Sequence, residues 1–308
     1  MTVTAIDVFA HVLPPKFYQE MLQLEPRLPQ MYPFITQPLL SDLVKRQQYF
    51  DGQINQVISN VNLNPEDYTT PDKALALCRQ GNDELAELVL ANQPMFLKAI
   101  AMLPLNNISG ALELLTTQIA PRKEFCGIQL FTRALGKSIA DESFYPVFAK
   151  AHELGIPIWL HPIFDERKPD NNIVFSWEYE LTQAMYDLVK SELFTKLPQI
   201  KIIVHHAGGM VPYFAERIAH ILPPKQASDF KRFYVDTAIL GNPKALELAV
   251  AYYGADHVLF GTDAPLGIAP AGAGQALLAA LDETDLSLEV REKILHENFE
   301  KMIVGDQT

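Results

Sequence analysis

The stretch Thr2-Val3-Thr4-Ala5-Ile6-Asp7-Val8-Phe9-Ala10-His11 decides how this chain is read. It is an apolar run that ends in a histidine, before Leu13-Pro14-Pro15 turns the chain. Side chains of a strand alternate between its faces, which puts Asp7, Phe9 and His11 on one face and Val8 and Ala10 on the other. Two histidines at positions 9 and 11 would read as paired metal ligands, but the first of these positions holds Phe9.

Outward from this run, short β-rich segments alternate with longer helical patterns, the signature of successive βα units around a parallel sheet. The expected strands are Val3–Phe9, Ile54–Asn60, Phe96–Met102, Phe125–Phe131, Ile156–Leu160, Ile200–Val204, Phe233–Asp236 and His257–Gly261. Helices are expected between them, with the clearest start at Thr70-Pro71, a hydroxyl cap followed by a proline at the first helical position. Leu286–Ile303 reads as a closing helix, and residues 12–53, rich in proline, as a helical insertion over the first loop. Eight units predict a (β/α)8 TIM barrel in the α/β class, one domain over residues 1–308. The alternative is an open doubly wound sheet, but no G-x-G-x-x-G turn follows any strand.

The formal net charge is −12, which argues against a nucleic-acid partner, since phosphates require clustered lysine and arginine. No apolar run reaches membrane-spanning length, and the two cysteines, Cys78 and Cys126, make no disulfide framework. With no charged-then-apolar leader ahead of the first strand, a cytoplasmic location is expected.

In a barrel, chemistry sits at the C-terminal ends of the strands. His11 ends strand one, His161 ends strand five, His205-His206 end strand six before Ala207-Gly208-Gly209, and Asp263 ends strand eight. One such histidine is ordinarily a hydrogen-bonded loop residue. Four polar strand ends on one rim favour a site. Imidazole and carboxylate suit Zn²⁺, Mn²⁺ or Fe²⁺, and such an ion activates water or polarises a bound oxygen. Of the adjacent pair, His206 is expected at the rim because of the flexible turn after it, and His205 as a packing neighbour. His152, His220, His257 and His296 read as structural.

The ordered set Ile6–Pro15, Ala101-Met102-Leu103-Pro104, Leu160-His161-Pro162, Val204–Tyr213 and Leu259–Pro265 resembles the amidohydrolase superfamily. Within it the chain is similar to the branch of aminocarboxymuconate-semialdehyde and ortho-hydroxybenzoate decarboxylases. The resemblance implies one divalent metal ion, zinc first and manganese second, with His11, His161 and Asp263 as ligands and His206 as the acid/base beside Asp263. It also implies a homodimer. Phe9 departs from the pattern, where relatives carry a histidine or a glutamate.

The expected reaction is non-oxidative decarboxylation of a small aromatic or unsaturated carboxylic acid. A hydrolase or hydratase on the same site is the alternative, and a metal-free binding barrel the second. Arg133 and Arg167 are candidates to hold the substrate carboxylate, with Arg46 as a third. Trp177, in Phe175–Glu180, is expected to wall the substrate site together with Phe9, and Asn60 and Asn62 to hydrogen-bond a substrate oxygen.

Overall fold

The computed structural model describes residues 5–304, so Val3 and Thr4 of the expected first strand lie outside the described residues. Eight parallel strands stand in chain order: β1 Ala5–Val12, β2 Ile54–Asn60, β3 Phe96–Ala101, β4 Phe125–Phe131, β5 Ile158–His161, β6 Ile202–Val204, β7 Tyr234–Asp236 and β8 Val258–Leu259. The sheet closes on itself through backbone bonds from Val8 to Phe260, from Asp263 to Phe9 and from His11 to Ala264. The closed ring of strands with helices between them is the (β/α)8 barrel that the alternation predicts.

The floor of the barrel is apolar. Ile6, Val8, Val57, Ile100, Trp159, Ile203 and Leu259 meet there, with Phe299 and Met302 of the closing segment packed beneath them. The Trp159 indole N–H crosses the barrel to the Val8 carbonyl at 3.0 Å, so the largest side chain of the floor has its one polar atom satisfied.

The first strand departs from simple alternation. Its register against β2 shifts between Asp7 and Ala10, a bulge that resets which residues face inward. Ile6 and Val8 fill the floor, and Phe9 and His11 still look into the barrel above them. Asp7 is turned to the outer wall, toward Arg46, and bonds the Thr262 hydroxyl and amide. The expectation that Asp7 shares a space with Phe9 and His11 is thereby corrected. β1 also runs on to Val12, so His11 lies within the strand.

Residues 13–53 form short helical pieces, including Pro15–Leu24 and Leu43–Gln47. The second of these carries Arg46 beneath the first strand, where its guanidinium bonds the His11 carbonyl at 2.5 Å and the Gln56 side chain at 2.8 Å. The helix Pro71–Ala91 starts with proline in its first turn as expected, although the Thr70 side chain makes no capping bond. Among the described residues no helix is long and apolar enough to cross a membrane.

Candidate active site

The C-terminal rim gathers His11, His161, His205, His206 and Asp263 around the ring of Phe9. Phe9 lies 4.6 Å from His11, 5.5 Å from His161, 3.4 Å from His205 and 6.0 Å from His206, centroid to centroid. His11 and His161 are 5.3 Å apart. Gly261 makes room for this packing, because a β-carbon there would stand 2.8 Å from that of Asp236 and 3.1 Å from that of Phe9.

Each imidazole is oriented by its Nδ1. His11 Nδ1 meets the Ser59 hydroxyl at 2.9 Å and His161 Nδ1 the Pro162 carbonyl at 2.7 Å. His205 Nδ1 meets Asp236 at 2.5 Å, and His206 Nδ1 meets Glu178 at 2.8 Å. In every case Nε2 is the edge left for the site. Burial, and then the neighbouring histidines, push the pKa of His161 and His205 well below the usual imidazole value, so both rings are neutral.

His206 behaves in the opposite way. Burial alone would lower it, but the Glu178 carboxylate, with Asp263 and Asp236 behind it, lifts its pKa to about 9. β6 ends at Val204, so strand alternation no longer separates the two histidines. His206 turns through φ 54° and its amide donates to Asp236 at 2.9 Å. Gly209, also at positive φ, lets this turn lie against the helix Ser176–Lys190, since a β-carbon there would stand 2.7 Å from the Glu178 carbonyl. Asp236 thus joins both histidines, and desolvation lifts its own pKa to about 6 although the His206 charge opposes this.

The donors fit a divalent ion in kind. His11 Nε2 is buried without a hydrogen-bond partner and faces Asp263 Oδ1 at 3.1 Å, a contact that needs a proton or a cation between the two atoms. His205 Nε2 is likewise buried without a partner. They do not form a finished shell: among the described residues, no three or more histidine, cysteine, aspartate or glutamate side chains are drawn together as metal ligands. The phenyl ring of Phe9 occupies the middle of the group and offers no lone pair.

The arginines are engaged by other groups. Arg133 pairs with Glu180 at 2.8 Å and Asp165 at 3.3 Å, and Arg167 grips Asp165 through two hydrogen bonds. Arg46 sits behind β1. Trp177 stands 6.1 Å from His161 and 6.3 Å from His206. Asn60 turns its amide to the Leu63 carbonyl, while Asn62 lines a cavity beside Trp177. Sequence reasoning missed Glu178 and Asp236 as partners of the histidines. Asp236 ends a predicted strand, so the rule that found Asp263 also covers it. Glu178 is reachable only through the fold.

The amidohydrolase family profile matches residues 6–303. The chain belongs to that family. It is 26% identical over 238 residues to 2-amino-3-carboxymuconate-6-semialdehyde decarboxylase of Dictyostelium discoideum, covering 72% of this chain and 66% of that one. The chain spans about half to two thirds of the length of the curated relatives it matches. Among solved structures, 5-carboxyvanillate decarboxylase from Sphingomonas paucimobilis superposes with a TM-score of 0.84 at 18% identity, over 98% of this chain and 99% of that one. Dihydroxybenzoic acid decarboxylase from Polaromonas sp. JS666, solved with bound manganese and an inhibitor, gives 0.80 at 21% identity, over 98% and 97%. These likenesses are likenesses of fold, over 98% of the chain.

Proposed function

We propose that the protein is a non-oxidative decarboxylase of a small aromatic carboxylic acid, with His206 as the proton donor. The observation that carries this reading is the support of His206: a carboxylate on Nδ1, a second on its amide, and a pKa lifted to about 9. An imidazolium maintained at neutral pH can donate a proton from Nε2 to the ring carbon that bears the carboxylate. The C–C bond to the carboxylate then breaks, its electron pair restores the aromatic ring, and CO₂ leaves. His206 regains its proton from water, and Glu178 stabilises the charged form throughout.

Where a divalent ion is bound, His11, His161 and Asp263 would hold it, and it would supply an electrophilic anchor for substrate oxygens. Zinc or manganese suits this set, and the manganese-bound relative supports the second. Arg133 and Arg167 are engaged by Asp165 and Glu180, so His206 is the cation left for the substrate carboxylate in this proposal. Phe9 and Trp177 would flank the aromatic ring. A homodimer is part of the proposal, supported by the helix Ala215–Ile221, which buries none of its residues, and by Tyr213 beside it at 78% exposure.

A screen of hydroxy- and aminobenzoates for CO₂ release, run beside lactones and amides for hydrolysis, tests the reaction class. CO₂ release is expected. Turnover of lactones or amides alone would transfer the site to hydrolysis.

A further inference from the structure

Beside the histidines lies a cavity of about 150 Å³ whose aromatic walls include Phe34, Tyr68 and Trp177. A space of this size holds one benzene ring. Trp177 is its link to the rim, since the same indole stands close to both His161 and His206.

The charged side chains that line this cavity are all of one sign. Asp67 and Glu166 line its solvent-exposed edge, and neither forms an ion pair among the described residues, although the Asn64 amide donates to Asp67. Partial desolvation, and then Glu166, raises the Asp67 carboxyl to about 6. The field of both also reaches the phenols of Tyr32 and Tyr68, which bond one another at 3.1 Å. Asn171 gives its amide N–H groups to the Asp165 and Lys168 carbonyls, and its buried Oδ1 is left without a partner. The indole N–H of Trp177, a residue only 6% exposed, is also buried without a partner, and the Asn62 amide lines the same cavity. No lysine, arginine or histidine is among the described residues that line the cavity.

A buried acceptor with no donor is costly, and a carboxylate brought beside two others is repelled. We infer that this cavity selects an aromatic monocarboxylic acid whose substituent remote from the departing carboxylate is a hydrogen-bond donor, amino or hydroxyl, and rejects a second carboxylate. This rests on the reading of the site as an aromatic-acid decarboxylase. The departing carboxylate lies toward His206, and the remote donor lies between Asp67, Glu166 and Asn171. The Trp177 N–H receives an oxygen attached to the ring.

The test is a fluorescence titration of the full chain, whose two tryptophans are Trp159 on the barrel floor and Trp177 in the cavity. The probes are meta- and para-substituted benzoates carrying amino, hydroxyl, methoxy or carboxylate groups, and Trp177→Phe identifies the responding indole. Amino and hydroxyl probes are expected to bind at least ~10-fold more tightly than methoxy and dicarboxylate probes, about the discrimination a lost hydrogen bond or a like-charge contact gives. In Asp67→Asn/Glu166→Gln the penalty against the dicarboxylates should shrink by a similar factor. The parental ranking stands as a test without any variant. Equal binding of donors and dicarboxylates overturns the inference, as does failure of every probe to bind. A preserved ranking without CO₂ release removes decarboxylation and keeps the pocket, whereas CO₂ release without the ranking does the reverse.

Discussion

The ring of Phe9 lies stacked on that of His205, 3.4 Å between centroids and 18° between planes. Both side chains are fully buried, and His205 is fixed from its other edge by Asp236. A phenyl group therefore stands among imidazoles at the position where the resemblance places a metal ligand. Phe9→His should place a donor two residues before His11 on the inward face, beside two Nε2 atoms that lack partners. Metal content per chain is expected to rise and to resist chelator, and added metal should raise the Tm of the variant more than that of the parent. Equal metal content and equal Tm response in the two proteins would mean that Phe9 does not limit the shell.

Glu178 determines how far into the alkaline range His206 stays charged. With the pKa of His206 lifted to about 9, the acid form persists below that pH and is lost above it. The kcat/KM of the parent is therefore expected to fall on the alkaline side near that value. Removing the carboxylate in Glu178→Gln removes the largest raising influence, so the alkaline limb should move toward neutrality while the fold is kept. A limb that stays in place would detach it from the Glu178–His206 pair.

Glu66 offers a separate check on the electrostatics. It is 8% exposed, accepts from the Leu105 amide, and burial, followed by Asp67, lifts its pKa to about 8. A carboxyl whose folded pKa is raised is tolerated as the acid. Its contribution is fully present below the unfolded value and is lost as pH rises through about 8. Glu66→Gln keeps an acceptor oxygen and has nothing to ionise. Its stability relative to the parent should increase by a few kcal/mol between about pH 5 and about pH 9 in denaturant titrations. A constant difference across that range would show that Glu66 is not buried as the acid.

The barrel was legible because its evidence is periodic. Eight short apolar runs recur with helices between them, and the predicted strands agree with the observed ones to within a few residues at their ends. One rule about strand ends points to His11, His161, His206 and Asp263, and the structure gathers the three histidines around Phe9. What escaped was non-local or irregular. The bulge that turns Asp7 outward has no signature in the run around it. The engagement of Arg133 by Glu180 joins residues 47 apart, and that of His206 by Glu178 joins residues 28 apart. An isolated arginine therefore reads as a free anchor until its carboxylate partners are placed beside it.

The most direct measurement of the central claim is decarboxylation of an aromatic acid that passes the screen, run in D₂O with parental protein and with His206→Ala. The parent is expected to release CO₂ and leave one deuterium on the carbon that carried the carboxylate. His206→Ala should fold normally and lose ~10²–10⁴-fold in kcat, the contribution of a positioned general acid. Near-parental kcat in His206→Ala, with deuterium still delivered to the same carbon, would contradict the assignment of His206 as the proton donor.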